Sequence, residues 1–483
     1  MEYKWKVLLA TTIGTLMSSI DSTIVLLALF PIASSLHSDF ISVIWVIIAY
    51  ILMSTALVLS LGRISDMYGR KRMYNLGFIV FTVGSALCGI SLSIDQLIVF
   101  RAIQGIGAAM LVANSFALVS EAFNPAERGR AFGINSIVWG SGTVIGIILG
   151  GIIITFTSWR LIFLINVPIG IAGTLLAYKV IRESAWVGRG REENFDLPAA
   201  LLFTGGLLFL LLGITFGLFY GWGKLLSDVA FVLAPITFAF FVLWESRYAA
   251  NPIIDFSIFS NRLFTFSIIS AMLQSVAIFS VNFLLIFYFE GIAGLSILNA
   301  SYLIIPMAAM TSIVGPFGGV LSDRAGARTV AATGLAVQAI TLFLLSRLTV
   351  GTPLFTVGLL EAAYGVGGGL FWPANTSAIM GAADRSKFGV ASGIMNTFRN
   401  TGMVLSFALS LIAATSVIPA GVVYGLFIGN ISGHLPLSMR TDYLTGEGFA
   451  FTISTILLAA AIVFSLIRAS TNRRGGVPAK ETA

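Results

Sequence analysis

The chain has 483 residues, of which 57% are hydrophobic and 10% charged, and its mean hydropathy is +0.96. Soluble domains carry about a quarter charged residues, so the composition excludes an ordinary soluble protein and predicts a polytopic membrane protein. A formal net charge of +7 raises the question of nucleic acid, a single cysteine, Cys88, excludes a disulfide within the chain and a Cys-based metal site, and His37 and His434 are the only imidazoles.

A hydrocarbon core about 30 Å thick takes about 20 helical residues to cross. Charge-poor runs of that length recur fourteen times, near 7–30, 41–61, 73–92, 95–119, 132–154, 160–181, 197–216, 226–246, 263–289, 297–320, 328–346, 353–380, 388–412 and 449–468. The opening residues lead into the first run without a small-residue cleavage site, so the first segment is expected to be retained. An even number of crossings puts both termini on one side. Lys and Arg collect at the termini and in the even-numbered loops, among them Arg63, Arg70, Lys71, Arg72, Arg128, Arg130, Arg182 and Arg324, which predicts cytoplasmic termini and explains the basic balance without nucleic acid. Residues 183–196 read as a polar cytoplasmic linker, and 413–448, with Pro419 and Pro436, as a long outer loop.

An internal repeat runs through these segments. Gly62-Arg63-Ile64-Ser65-Asp66-Met67-Tyr68-Gly69 has the spacing of Gly319-Val320-Leu321-Ser322-Asp323-Arg324-Ala325-Gly326, and Arg101 to Gly107 aligns with Glu361 to Gly367. The offset is eight spans. Two six-helix bundles with two inserted helices account for it, giving divisions at 1–182, 183–262 and 263–483. Asp66 is placed to bridge a helix N-terminus and a nearby Arg as a conformational latch, with Asp323 as its repeat; the alternative is a solvated basic loop.

The fifth run contains Gly133, Gly142, Gly146, Gly150 and Gly151, and from 142 onward the step of four puts glycines on one face where another backbone can approach closely. Ionisable groups within the spans face partners or a wet cavity. At 1.5 Å per residue, Asp21 and Arg101 both lie roughly 21 Å from the inner face and can pair. Counting Glu361 down from the outer face and Arg399 up from the inner one makes them nearly level as well. Burial and an apposed cation act on a carboxyl group's proton in opposite senses, so motion separating Asp21 from Arg101 would let a proton on or off; a static ion pair is the alternative. Glu361 is a second candidate, for protons, for substrate or for a pair with Arg399.

The five glycines resemble the fifth-helix motif of proton-driven exporters of the major facilitator superfamily, except that Ile147 stands where that motif has proline. Gly62, Asp66, Gly69, Arg70 and Lys71 resemble the superfamily's loop signature. Ser19 to Pro31, Trp159 to Gly170 and Gly389 to Gly402 resemble its fourteen-helix drug:proton antiporter branch, with Leu26 and Pro31 as departures in the first run. The resemblance implies an all-α integral membrane protein of the major facilitator fold. It further implies a proton-coupled multidrug efflux transporter in the cell membrane, exporting hydrophobic, often cationic compounds by alternating access. Proton coupling would fall to Asp21 and Arg101, with Glu361 and Arg399 in the other half. A central cavity would draw on Gln104, Asn282, Tyr364, Trp372 and Asn375. The rival within the same fold is transport of one metabolite, such as a sugar or organic acid. The absence of a nucleotide loop, metal cluster or nucleophile–His pair argues against an enzyme. The expected partners are a small-molecule substrate, protons and the lipid bilayer, with no cofactor, no metal and a monomeric state.

Overall fold

The computed structural model describes residues 2–183, 195–221, 223–249, 252–254, 256–295, 297–415 and 436–467. Among the described residues, a helical segment lies over each of the fourteen predicted runs. The segments are α1 (Tyr3–Leu27), α2 (Phe40–Tyr68), α3 (Arg70–Gly89), α4 (Ile94–Ala122), α5 (Arg128–Phe156), α6 (Leu161–Val180) and α7 (Leu197–Tyr220). There follow α8 (Leu225–Arg247), α9 (Arg262–Phe287), α10 (Ile297–Ala325), α11 (Ala327–Leu345), α12 (Leu354–Ala382), α13 (Phe388–Thr415) and α14 (Leu437–Ile467). Among the described residues there is no strand, and eleven helices are long and apolar enough to cross a membrane.

Local chemistry explains the interruptions. Pro31 lacks the N–H that would bond the Leu27 carbonyl, so α1 stops at Leu27 and a short helix, Leu29–Ser35, continues the chain. The α6 segment breaks at Ile165, and its second piece, Asn166–Val180, carries Pro168 in its first turn, where no N–H is needed. Beyond Phe287, α9 widens into a π-helical turn, Tyr288–Ile292. Gly69 (φ +119°) and Gly326 (φ +91°) make the turns α2–α3 and α10–α11 in a backbone region that disfavours side chains.

The packing obeys the predicted repeat. Helix α4 packs on α2 and α3, α6 on α3, and α1 on α5 and α6; adding eight gives α12 on α10 and α11, α14 on α11, and α9 on α13 and α14. The two groups meet through a second equivalent pair, α5 with α10 and α2 with α13. Helices α7 and α8 pair with each other and reach the rest mainly through α7 against α2 and α13.

The described ends of the chain, the start of α1 and the end of α14, lie at one end of the bundle. There the Lys4 ammonium pairs with Glu127 at 2.9 Å, the Tyr3 hydroxyl accepts from the Arg182 amide at 3.1 Å, and Phe464 stacks near Phe266 at the start of α9. Apolar side chains such as Ile148, Ile152, Ile171, Leu201 and Phe240 stand exposed around the bundle, as a lipid-facing surface requires. Two expectations need correction. The last helix begins at Leu437, twelve residues before the predicted 449, so the C-terminal part of the loop read as 413–448 is helical; residues 416–435 of it lie outside the described residues. The linker residues 184–194 also lie outside them.

Candidate functional site

Asp21 and Arg101 form a fully enclosed ion pair, 0% and 1% exposed, with the Arg101 Nη1 donating to Asp21 Oδ2 at 2.7 Å. The other oxygen, Oδ1, accepts from the side-chain amides of Gln104 and Asn166, each at 2.9 Å. Arg101 also donates through Nε to the Val46 carbonyl at 3.1 Å and through Nη1 to Gln104 Oε1 at 2.7 Å, and the Tyr50 ring covers its guanidinium at 4.3 Å. Ser85 ties the amides in, accepting from Gln104 and Asn166 and donating to the Phe163 carbonyl. Helices α1, α4 and α6 thus meet on one carboxylate, and α3 joins the network through Ser85. Gln104, expected in the central cavity, is instead 0% exposed and belongs to this network. Asn166 was missed; its signal was an amide next to the break in an otherwise apolar span.

The loop motif and its repeat make twin contacts across the two groups of helices. Asp66 accepts from the Gly389 and Val390 amides, both at 3.0 Å, at the N-terminus of α13. Asp323 accepts from the Gly129 and Arg130 amides at 3.1 and 3.0 Å, at the N-terminus of α5. Free helix N–H groups and the positive end of the helix dipole favour a carboxylate at both places. Arg70, 2% exposed, pairs with Asp66 at 2.7 Å and Glu121 at 2.9 Å, and reaches across to the Arg385 carbonyl at 2.7 Å. Gly62 sits so close to Gly389 that a Cβ on either would strike the other's carbonyl. The termini end of the molecule is therefore tied shut at two related positions.

The glycines of α5 serve two partners. A Cβ at Gly133 would meet Gly315 and Pro316 of α10, whereas at Gly142, Gly146 and Gly150 it would meet Ser19, Ile20 and Thr23, and Ile24 and Leu27 of α1. The step of four thus marks the α1–α5 seam, and Gly133 the contact with the other half. Gly151 is only partly buried.

Below the Asp21 network, a small cavity of about 40 Å³ lies between α1, α3, α4, α5 and α13. Ser18, Ser115, Asn135, Trp139 and Arg399 are among its walls. The Arg399 guanidinium lies 5.8 Å from the ring centres of both Trp139 and Trp372.

Glu361 and Arg399 do not pair. Among the described residues Glu361, 0% exposed, has no hydrogen-bond partner for either oxygen, and Arg399 has no carboxylate within 4.0 Å. The reason is helix length: α12 is 29 residues, roughly 43 Å at 1.5 Å per residue, so depths counted from opposite faces of a 30 Å slab do not share a zero. Arg399 stands level with Trp372, eleven positions or roughly 16 Å along α12 from Glu361. Of the other expected cavity residues, Trp372 borders Arg399, Tyr364 is 0% exposed in the core, and Asn375, also 0% exposed, donates to the Ser267 carbonyl of α9 at 3.0 Å. The Asn282 side chain lies outside the described residues. The expectation of a cavity lined by Gln104, Tyr364 and Asn375 is thus not met. A second enclosed acid was also missed: Glu447 of α14, 1% exposed with neither oxygen partnered among the described residues, falls in the stretch read as loop. Among the described residues no group of His, Cys, Asp and Glu could hold a metal.

Comparison with known proteins follows the same lines. The family model described as Major Facilitator Superfamily matches residues 11–407. The riboflavin transporter RibZ of Clostridioides difficile (strain 630) is 33% identical over 424 residues, 88% of this chain and 90% of that protein. Multidrug resistance protein 3 of Bacillus subtilis (strain 168) is 32% identical over 412 residues, 85% and 80% of the two chains. The solved proton:xylose symporter XylE superposes with a TM-score of 0.64 at 14% identity, covering 97% of this chain and 96% of that one, a likeness of fold.

Proposed function

Because the chain belongs to the major facilitator superfamily, we propose that it is a proton-coupled secondary transporter that exports hydrophobic compounds by alternating access. In this reading all fourteen helices cross the cell membrane, both termini are cytoplasmic, the protein acts as a monomer, and residues 1–182 and 263–483 rock against each other around the inserted pair within 183–262. The latched end is then the cytoplasmic gate, closed by Asp66 and Asp323, and the structure corresponds to the outward-facing half of the cycle.

The observation that carries the reading is the enclosed Asp21–Arg101 pair with its two amide donors. Removing one partner of a buried ion pair costs about 3–5 kcal/mol, so a proton arriving on Asp21 must come with a rearrangement that re-houses Arg101. Asp21 lies on α1, which packs along the glycine seam of α5, and α5 receives the Asp323 latch of α10 at its N-terminus. A change at the carboxylate therefore has a mechanical route to the gate. Glu361 is the counterpart acid in the other half: a lone carboxylate there would have no partner, so its proton and its conformation are coupled as well.

Relatives named for multidrug resistance or multidrug transport support drug-type cargo. Arg399 is the charged residue among those lining the small cavity, so export of hydrophobic compounds stands without the expected preference for cations. The riboflavin transporter among the relatives favours a second reading, transport of one flat metabolite. Proteoliposomes with an imposed pH gradient separate the two. Gradient-driven uptake of several unrelated hydrophobic dyes, lost in Asp21→Asn, is the expected result; movement of riboflavin alone would favour the second reading, and movement of nothing would reject both.

A further inference from the structure

We propose that the cavity bounded by Arg399, Trp139, Asn135 and Ser18 is the anion end of a substrate site: its roughly 40 Å³ takes a carboxylate or enolate, and the flat aromatic ring system bearing that group is housed as the halves part around it. The proposal rests on the transport reading for its meaning in the cell, but the binding it asserts is measurable without transport.

Three observations converge on it. The first is charge. Arg399 brings a guanidinium to the middle of the bundle, where each uncompensated charge costs at least about 2.5–3.5 kcal/mol, and among the described residues no carboxylate lies within 4.0 Å of it. The enclosed acids of the spans do not serve it: Asp21 is taken by Arg101, Glu361 is roughly 16 Å away along α12, and Glu447 of α14 is not within 4.0 Å of it. A ligand anion would supply the missing counter-charge, and the planar fork of the guanidinium matches a carboxylate's two oxygens.

The second observation is the unsatisfied polar atoms. Arg399 Nε, a donor, and Asn135 Oδ1, an acceptor, are both buried without a partner, on walls of the same cavity. Native interiors pair such groups almost always. Here they come from helices of different halves, α13 and α5, so a ligand that engages both would sense how far apart the halves are. The third is the aromatic frame. Trp139 from α5 and Trp372 from α12 stand 5.8 Å from the guanidinium, and Trp139 keeps 36% of its surface exposed. Two indoles from opposite halves give stacking area for a ring system. Ring faces hold the flat body; Arg399 chooses the charge.

The test uses two dyes with the same three-ring xanthene frame and opposite charge, fluorescein (anionic) and rhodamine 123 (cationic). Binding to the purified full chain in uncharged maltoside micelles is read by fluorescence anisotropy, with empty micelles as blank. The wild type is expected to bind fluorescein at least tenfold more tightly than rhodamine 123. Arg399→Gln should weaken fluorescein at least tenfold and leave rhodamine 123 unchanged or tighter, whereas Trp139→Ala should weaken both. Asn135→Leu, which removes the acceptor without touching charge, should weaken fluorescein less than Arg399→Gln does. Equal or tighter binding of rhodamine 123 by the wild type overturns the proposal, and that comparison needs no variant to fold. Unchanged fluorescein affinity in a folded Arg399→Gln overturns it too. Failure of proton-driven transport with the dye preference intact would reject the transport reading and leave the subsite standing.

Discussion

Replacing Asp66 by Asn should open the latched end. Only interactions that cross between the halves count, because the Asp66–Arg70 pair joins adjacent helices of one half and persists in either state. The bonds of Asp66 that cross are those from the Gly389 and Val390 amides, both at 3.0 Å. A hydrogen bond to a charged group contributes about 1.5–3 kcal/mol against about 1 for a neutral one, and a charge at a helix N-terminus adds about 0.3–1 kcal/mol. An Asn would keep one acceptor and turn an NH₂ toward the second N–H. The latched state should lose about 2–3 kcal/mol, or roughly 30- to 150-fold in population at about 1.4 kcal/mol per tenfold. Spin labels on Tyr68→Cys and Ser386→Cys in a Cys88→Ser background would read it, since Tyr68 and Ser386 are exposed on opposite sides of the seam and Cys88 is buried. Electron–electron resonance should show a longer-distance population appearing in Asp66→Asn. Asp323→Asn should do the same at the α5–α10 seam, and the double variant more. A distance distribution unchanged by Asp66→Asn would refute the latch.

Gly142→Val should separate α1 from α5, because even a Cβ there stands 2.8 Å from Ser19 Cβ; a melting temperature several degrees lower is expected, with Gly151→Ala, at a partly exposed position, close to wild type. Gly69→Ala should destabilise more than Gly326→Ala: both force a side chain into a left-handed backbone at about 1–2 kcal/mol, but only at Gly69 does the new Cβ also meet the Glu183 carboxyl, at 2.8 Å, while Gly326 opens on free space. Thermal unfolding of the two in detergent checks the order. Asn166→Leu removes one amide from Asp21 Oδ1 and leaves the Arg101 pair intact; a folded protein with roughly tenfold slower gradient-driven transport is expected, the loss of one hydrogen bond to a charged group.

The helices were legible because each carries its own apolar length, and the repeat was legible because Asp66 and Asp323 sit at the same spacing from their glycines. Both are local patterns, and the twin contacts on α13 and α5 follow from them. Pairings at mid-depth were legible only in part. Asp21 and Arg101 met, but Glu361 and Arg399 did not, since depth counting assumes helices cut flush with the bilayer and α12 overruns it. Gln104 read as a cavity residue because it is polar on a helix expected to line one; which face of α4 turns to α1 and which to open space is a packing outcome that periodicity alone does not carry. Asn166 and Glu447 were missed for a related reason. An amide in an apolar span becomes informative only when the carboxylate it serves is known, and an acid ten residues beyond a helix start looks like loop when the loop's prolines are counted as its boundary.

The central claim is that Asp21 couples cargo to protons moving the opposite way. Proteoliposomes loaded in turn with riboflavin, fluorescein and rhodamine 123, with no pH gradient and weak buffering, would be diluted into cargo-free medium and followed with a pH electrode. For each compound that is carried, protons should enter the vesicles as cargo leaves, and Asp21→Asn should abolish this proton movement. Cargo leaving with no proton movement, or with protons leaving alongside it, would contradict the account.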